Sequence, residues 1–411
     1  MRFARTQRYR NICGMVVLLS LVAASAIWSG DHLALAQSGA SRPAGAAKPA
    51  SKPVPGRHAK NVILFLGDAG GIPTLHAASL VTHQKPNGLF IHSLPHIGLS
   101  DTSAADVWVT DSAAGMSAIV TGQKTNNGVL SQSATAIRGQ KDGERLKTIL
   151  EYAEQHGLST GVVSNVVVTD ATAAACFAHV NDRRKTAEIF SQLLSPAFGD
   201  GVDVIAGAGR PQILAAITPL GMDLEASLKA KGYVYCPTPA DIPSNARRVA
   251  ALFDTMDYDQ PAVVRRVIDI LSRNPKGFFL MVECDMHTDR LKLGLEHALV
   301  MDQMVREASE RFKDDTLIIL TADHSFDIRV RGGRRGEPLL PDTPPSGAAP
   351  ISKPLIRVDN GHTGEQVLVA ARGPGAERVR GFMENADIFR IMMAAYGWKP
   401  DPPAAKTPPT Q

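Results

Sequence analysis

Short apolar runs separated by longer amphipathic stretches constrain the fold of this chain more than any other feature of its sequence. Strands buried on both faces of a parallel sheet give such runs, and surface helices give the amphipathic stretches between them. This alternation favours an α/β fold: a doubly wound, mostly parallel central sheet with helices on both faces, in a single large domain. The clearest strands are expected over residues 62–66, 160–168, 202–206, 277–282 and 316–320, and the clearest helices over 146–155, 261–273 and 295–312.

The two ends of the chain are predicted to lie outside this domain. Residues 1–36 combine a basic start, an apolar stretch and the small-residue site Ala34-Leu35-Ala36, which is the pattern of a secretory signal peptide. An uncleaved membrane anchor is the alternative, although the apolar stretch is short for one. The remainder is expected to be a flexible Ala/Pro-rich linker over 37–59, the folded domain over 60–398 with an exposed insertion at 329–359, and a Pro-rich tail over 399–411.

Charge and cysteine content exclude several classes of protein. The formal net charge is +4, and part of it comes from arginines in the predicted signal, so no nucleic-acid partner is indicated. Three cysteines follow the signal, an odd number, so a disulfide framework does not organise the fold, although one bridge is possible. The signal predicts export to the periplasm or the medium, with no stable membrane span after its removal. The sequence does not indicate an oligomeric state.

Polar residues of metal-binding types follow four of the five predicted strands. Ligands of an open α/β sheet gather beyond the carboxyl ends of its strands, so these residues are expected to meet in space. Carboxylates with imidazoles, and without a cysteine cluster, suit Zn²⁺, whereas oxygen ligands alone suit Mg²⁺. A single Asp after a strand is more often a helix cap, and it is the convergence of several that indicates a metal site. The strand-end candidates are Asp68, Asp170, Thr172, Glu283, Asp285, Asp323 and His324, with His362 added from a glycine-flanked loop.

Ser112 stands in a run of small residues, Asp111-Ser112-Ala113-Ala114, that is expected to begin a helix. A helix N-terminus presents backbone N–H groups and a partial positive charge, and both suit a phosphate. Taken alone, the run is better explained as a helix N-cap than as a catalytic motif. A serine hydroxyl becomes a nucleophile only when a base or a metal ionises it. No Gly-x-Ser-x-Gly elbow surrounds Ser112, so activation by a metal fits better than a Ser-His-Asp triad.

Taken in this order, the motifs resemble those of the alkaline phosphatase family over about residues 61–370. Five motifs in one order are far more specific than any single match. They are Gly67-Asp68 with Gly70-Gly71; Thr110-Asp111-Ser112-Ala113-Ala114; Asp170-Ala171-Thr172 with His179 and Arg183; Val282-Glu283; and Thr321-Ala322-Asp323-His324 with His362-Thr363-Gly364-Glu365. The resemblance implies metal-dependent hydrolysis of phosphate monoesters through a phosphoserine intermediate, with phosphorylated small molecules as substrates.

The resemblance also implies a role for each candidate residue. Ser112 would be the nucleophile, and Arg183 would bind two phosphate oxygens through its planar fork. Two zinc ions and one magnesium ion are implied as cofactors. The first zinc would be held by Asp68, Asp323 and His324, the magnesium by Asp68, Thr172 and Glu283 with Asp170 acting through a water, and the second zinc by His362.

The chain departs from the family pattern at the second zinc. In the family, the glutamate is followed by a glycine, then an Asp and, four residues later, a His, and this Asp–His pair binds the metal. Here Cys284 follows Glu283, and the competing candidates are Asp285, His287 and Asp289, with His297 a distant fourth. The pair Asp285 and Asp289 is favoured because its spacing keeps the four-residue interval, and His287 is retained as an alternative because imidazole is the better zinc ligand.

Two other functions compete with this interpretation. A phosphodiesterase or nucleotide pyrophosphatase of the same superfamily would use the same sheet and zinc pair. Arg183 favours the monoester, because a dianionic phosphate matches the positive charge better than a monoanionic diester does. An exported phosphate- or metal-binding protein without catalysis is the second alternative, and the altered run at 284–289 keeps it open.

Overall fold

A mostly parallel sheet of ten strands lies at the centre of the computed structural model, which describes residues 58–340 and 355–401. A further pair of strands forms a separate small sheet. The strands are β1 (Asn61–Asp68), β2 (His96–Ser100), β3 (Ser159–Val167), β4 (Val204–Ala208), β5 (Val234–Cys236), β6 (Val249–Phe253), β7 (Phe278–Asp285), β8 (Thr316–Ala322), β9 (Ser325–Val330), β10 (Ile356–Thr363), β11 (Val367–Arg372) and β12 (Gly381–Met383).

Helices connect most of the parallel strands, as parallel pairing requires. They are α1 (Ile72–His83), α2 (Ser112–Thr121), α3 (Ile149–Gln155), α4 (Ala171–Ala174), α5 (Thr186–Leu194), α6 (Arg210–Ile217), α7 (Leu224–Ala230), α8 (Gln260–Leu271), α9 (Leu291–Arg311) and α10 (Asn385–Tyr396). Their starts carry local signals. Thr148 and Glu151 form a capping box at α3, and Asp259 caps α8 by accepting from the Ala262 backbone N–H at 2.9 Å.

The strand order places β1 in the interior of the sheet, between β7 and β8. The parallel part of the sheet runs in the spatial order β8-β1-β7-β3-β4-β6-β5. Next to β8, β11 pairs antiparallel with both β8 and β2, and β12 pairs parallel with β2 at the edge. The small sheet consists of β9 and β10, which pair antiparallel. The carboxyl ends of β1, β3, β7 and β8 therefore lie together.

Side chains of β1 alternate between two hydrophobic cores, one on each face of the sheet. Ile63 and Phe65 belong to the core that includes α1, α8 and α9. Leu64 and Leu66 belong to the opposite core, with α2, α3 and α10. Burial of one such side chain stabilises the fold by about 1.5–3 kcal/mol. Because both faces of the strand are buried, its sequence is a continuous run of apolar residues. The predicted doubly wound α/β fold is confirmed.

The five strands predicted most clearly from the sequence correspond to β1, β3, β4, β7 and β8, and the three helices to α3, α8 and α9, with shifted ends. The two ends of the predicted insertion at 329–359 belong to strands, because β9 extends to Val330 and β10 begins at Ile356. Residues 331–338 between them are exposed, and 341–354 lie outside the described residues. The predicted signal peptide, most of the linker and most of the tail also lie outside them and stay predictions.

Within residues 58–340 and 355–401, no helix combines the length and the apolar character needed to cross a bilayer. The three cysteines in these ranges are buried free thiols, so the bridge that the sequence left open does not form among them.

Candidate active site and metal centre

The carboxyl end of β1 is the place where the candidate site residues meet. Asp68 is the last residue of β1, and the register places it opposite Asp285 of β7. On the other side, β8 leads directly into Asp323 and His324. The backbone N–H of Ala69 donates to Asp323 Oδ1 at 3.3 Å and so joins the two strand ends. This is the position at which open α/β sheets bind ligands.

Ser112 is the first residue of α2 and is buried beside the end of β1. Its Oγ lies 3.2 Å from Asp68 Oδ2 and 3.3 Å from His324 Nε2. The N-cap of α2 is Asp111, whose Oδ1 accepts from the Ala114 backbone N–H at 3.1 Å. Because Asp111 caps the helix, the hydroxyl of Ser112 is left to face the carboxylate and the imidazole.

Arg183 lies between α4 and α5, and two carboxylates hold its guanidinium. It donates from Nη1 to Asp111 Oδ2 at 3.2 Å and from Nη2 to Asp170 Oδ1 at 2.8 Å. Burial lowers the pKa of Arg183, but the charges of Asp170 and Asp111 outweigh burial and hold that pKa above its usual value. Asp111 therefore caps α2 with one oxygen and orients a permanent cation with the other.

Three buried carboxylates crowd the same strand ends: Asp68, Glu283 and Asp323. Burial, with the charge of Asp68 as the next contribution, raises the pKa of Glu283 and that of Asp323 well above the usual range. Among the described residues, no hydrogen-bond partner reaches Glu283 Oε2 or Asp323 Oδ2. Thr172 lies in the same group, with its Oγ1 3.4 Å from Asp68 Oδ2. Buried acidic oxygens without donors are costly unless cations pair with them, so this donor set fits divalent metal ions.

Three imidazoles share one small space, since ligand atoms of His287, His324 and His362 lie within 4.8 Å of one another. Asp68 and Asp323 form a second such set with His324. The Nδ1 atoms of His324 and His362 each lie 3.1 Å from a backbone carbonyl oxygen. Carbonyl oxygens only accept, so these hydrogen bonds assign the ring proton to Nδ1 and leave Nε2 available to a metal.

The electrostatic environment differs among the three rings. Burial lowers the pKa of His324, and burial and then the charge of His324 lower the pKa of His362. Burial also lowers the pKa of His287, but the hydrogen bond to Asp285 and the charge of Asp68 outweigh it and raise that pKa to about 9. His324 and His362 are therefore neutral at neutral pH, as a metal-binding imidazole must be, and His287 carries a proton that a metal would have to replace.

Two remaining candidates for the second zinc, Asp285 and Asp289, lie outside these sets of converging ligand atoms. Asp285 is hydrogen-bonded to His287, with Oδ1 2.6 Å from Nδ1, whereas Asp289 is exposed and belongs to neither convergent set of the described residues. Sequence reasoning missed Asn165, whose Oδ1 accepts from the Asp285 backbone N–H at 2.8 Å. A carboxamide inside the predicted strand 160–168 was the signal for it.

The fold and the donors together define a class: an α/β protein with two metal-type donor sets at its strand ends, beside a buried serine and a fixed arginine. Comparison with known sequences narrows that class. The profile described as Alkaline phosphatase matches residues 59–228 and 256–339, which is more than half of the chain. The chain therefore belongs to the alkaline phosphatase family.

Individual relatives agree with this assignment. The chain is similar to alkaline phosphatase 4 of Bacillus subtilis, at 28% identity over 81% of this chain and 88% of that one. It is also similar to streptomycin-6-phosphate phosphatase of Streptomyces griseus, at 29% identity over 82% and 91%. The fold matches that of alkaline phosphatase from the Antarctic bacterium TAB5, with a TM-score of 0.69 and 24% identity over 84% of this chain and 99% of that one. A variant of that enzyme was solved with magnesium bound.

Proposed function

We propose that the chain hydrolyses phosphate monoesters and releases inorganic phosphate, with Ser112 as a nucleophile that becomes phosphorylated. Family membership supports the reaction class. The single observation that carries the finer proposal is the position of Ser112 Oγ, which lies 3.2 Å from Asp68 and 3.3 Å from His324 at the start of a helix. A hydroxyl at that place adjoins the residues best suited to hold a metal that would ionise it.

Two zinc ions and one magnesium ion are the proposed cofactors. Asp68, Asp323 and His324 would hold the first zinc, and His287 and His362 would contribute to the second. Asp68, Thr172 and Glu283 would hold the magnesium, because they offer oxygen donors only. When bound, these ions would ionise hydroxyl groups and neutralise charge that develops on phosphate oxygens.

In the proposed reaction, Ser112 is the nucleophile and Arg183 binds the phosphate. Ser112 Oγ loses its proton to solvent and forms a bond to phosphorus while the ester P–O bond breaks, and the leaving alkoxide takes a proton from solvent to become the alcohol. A water molecule next attacks the phosphoserine, which releases phosphate and restores the hydroxyl of Ser112. Arg183 donates its two N–H groups to non-bridging oxygens throughout, and the N–H groups at the start of α2 add to the positive field.

Charge favours a monoester over a diester. Arg183 is held beside Ser112's helix by Asp111 and keeps its charge, as its raised pKa indicates. A dianionic monoester has more negative charge to pair with this cation and the proposed metals than a monoanionic diester has. The substrates are proposed to be phosphorylated small molecules, which agrees with a relative named for streptomycin 6-phosphate.

Replacement of the nucleophile tests the proposal. Ser112→Ala should lower phosphate release from p-nitrophenyl phosphate by more than about 1,000-fold, because the covalent step is lost. Metal content per chain, measured on the same preparation, should be nearly unchanged. Ser272→Ala, an exposed serine at the end of α8, is the matched control and should keep full activity. Activity retained in Ser112→Ala would refute the nucleophile, and a wild-type protein that binds metal and phosphate without turnover would identify a non-catalytic binding protein.

A further inference from the structure

Asp285 and His287 form a hydrogen-bonded pair at the end of β7. Asp285 Oδ1 accepts from His287 Nδ1 at 2.6 Å and from the backbone N–H of the same residue at 3.0 Å. A single carboxylate oxygen therefore ties the ring to its own backbone. Both side chains are largely buried, with Asp285 19% and His287 25% exposed.

This contact determines which nitrogen of His287 faces the site. A carboxylate accepts, so the proton between the two groups lies on Nδ1, and Nε2 points away from Asp285. His287 Nε2 lies 3.4 Å from His362 Nε2. His362 is held in the same way, because its Nδ1 lies 3.1 Å from the carbonyl oxygen of Thr110. Both rings therefore direct Nε2 toward one point.

The separation of these two nitrogens fits a shared zinc ion. Zinc binds imidazole nitrogen at about 2.0–2.1 Å in tetrahedral geometry, and two nitrogens on one such ion lie about 3.4 Å apart. The observed distance between His287 Nε2 and His362 Nε2 is 3.4 Å. Asp285 contacts the other ring nitrogen of His287, Nδ1, and it belongs to neither of the two convergent donor sets of the described residues.

The backbone around the pair is anchored from both sides. The backbone N–H of Asp285 donates to Asn165 Oδ1 at 2.8 Å, and the ring of His297 hydrogen-bonds its carbonyl oxygen. The turn after it packs against α9 at Gly294, where a Cβ atom would lie 2.3 Å from the carbonyl oxygen of His287. These contacts fix the backbone at Asp285. Rigid residues behind a metal ligand hold that ligand in its binding orientation.

We infer that Asp285 is a positioning residue, which holds His287 in the orientation and tautomer that bind the second zinc and does not itself bind the ion. The inference rests on the proposed metal-dependent function. It makes the second zinc site of this chain an imidazole site with the carboxylate behind it, in place of the aspartate ligand that the resemblance to the family implied. Asp289 has no part in it.

A double-mutant cycle on zinc affinity tests the inference. The dissociation constant of zinc at the second site is measured by competition with a chromogenic chelator. The proteins compared are the wild type, Asp285→Asn, Asp285→Leu, His287→Ala and the double variant Asp285→Leu/His287→Ala. Loss of a carboxylate that orients a ligand weakens metal binding by about 10- to 100-fold. Asp285→Leu should show that loss, and Asp285→Asn, which keeps a hydrogen-bond acceptor, should show a smaller one.

The double variant is the decisive measurement. If Asp285 acts only through His287, Asp285→Leu should change affinity by less than about threefold once His287 is Ala, because the partner is already gone. Losses that multiply in the double variant would show that Asp285 binds the ion directly and would overturn the inference. Asp289→Asn, an exposed acid in the same turn, is the matched control and should bind zinc as the wild type does.

Failure of the proposed function gives a different result. A wild-type protein that binds two zinc ions and shows the predicted cycle, yet releases no phosphate, would contradict the reaction and support the role of Asp285. A His287→Ala variant that binds zinc as tightly as the wild type would overturn the role of Asp285 whether or not phosphate is released. The spectrum of the cobalt-substituted protein adds an independent readout, because Asp285→Asn should keep the same number of nitrogen ligands and Asp285→Leu should lose one.

Discussion

Arg183→Ala is the change whose effect can be worked out most fully from the structure. The two N–H groups that now reach Asp111 and Asp170, at 3.2 and 2.8 Å, are those proposed to bind phosphate oxygens. Charge-assisted hydrogen bonds contribute about 1.5–3 kcal/mol each, so two of them amount to about 3–6 kcal/mol before any offset.

Part of that energy is lost when substrate binds. The guanidinium is already paired with the two carboxylates, and those contacts weaken as phosphate takes their place. If roughly half of the energy is offset in this way, about 1.5–3 kcal/mol remains, which is a loss of roughly 10- to 150-fold in kcat/KM at about 1.4 kcal/mol per tenfold. Arg183→Lys keeps the charge and loses the planar fork, so its loss in kcat/KM should be smaller than that of Arg183→Ala in the same assay.

The assay compares kcat/KM for p-nitrophenyl phosphate and for bis(p-nitrophenyl) phosphate. Arg183→Ala should lower the first by the amount above and the second by less than about tenfold, because the diester has one charge fewer to pair with the arginine. Arg184→Ala is the matched control, since that neighbour is 76% exposed and pairs with Asp182. Equal losses on the two esters would refute the argument for a monoesterase, and a loss below threefold on the monoester would refute the phosphate contact.

Two further predictions concern stability. Burial, and to a smaller extent the charges of Asp200 and Glu151, raise the pKa of Glu154 to about 8 from an ordinary value of 4.5. Between these values the folded protein binds a proton that the unfolded chain has released, so the free energy of unfolding should fall by up to about 1.4 kcal/mol per pH unit as pH rises. Urea denaturation from pH 5 to 8 should show a flatter profile for Glu154→Gln, and parallel profiles would contradict the assignment. Gly277→Ala should destabilise the protein by more than about 3 kcal/mol, because φ is +109° and a Cβ atom would lie 2.0 Å from the carbonyl oxygen of Lys60. Gly232→Ala, with φ of +80° and no atom within 4 Å, should cost only about 1 kcal/mol in the same measurement.

The fold was predictable because local pattern and tertiary environment agree along most of the sheet. The apolar runs of β1 and β8 send alternate side chains into two cores, so each run had to be continuous. The segment at 329–359 was less predictable. Its ends pair as β9 and β10, and the pairing depends on a partner strand about 30 residues away that no local pattern reveals.

The candidate site was predictable where residues follow strands directly. Asp68, Glu283, Asp323 and His324 all lie at or just after the carboxyl ends of neighbouring strands, and parallel register alone brings such positions together. The roles of Asp285, His287 and Asp289 could not be separated in this way. They lie within five residues of one another, and a turn can direct any of them toward the metal.

The sequence by itself determined the α/β class, the order of the strand-end motifs and the kinds of ligand available, because each of these depends on residue type and short-range periodicity. Only the tertiary structure decided which nitrogen each imidazole presents. For His362 the acceptor is the distant carbonyl of Thr110, and for His287 and His324 the local backbone turn brings the acceptor to Nδ1. The tertiary structure also decided that Asp111 rather than Ser112 caps α2, which leaves the serine hydroxyl facing Asp68 and His324. Backbone direction at a single turn sets these contacts, and residue spacing does not encode it.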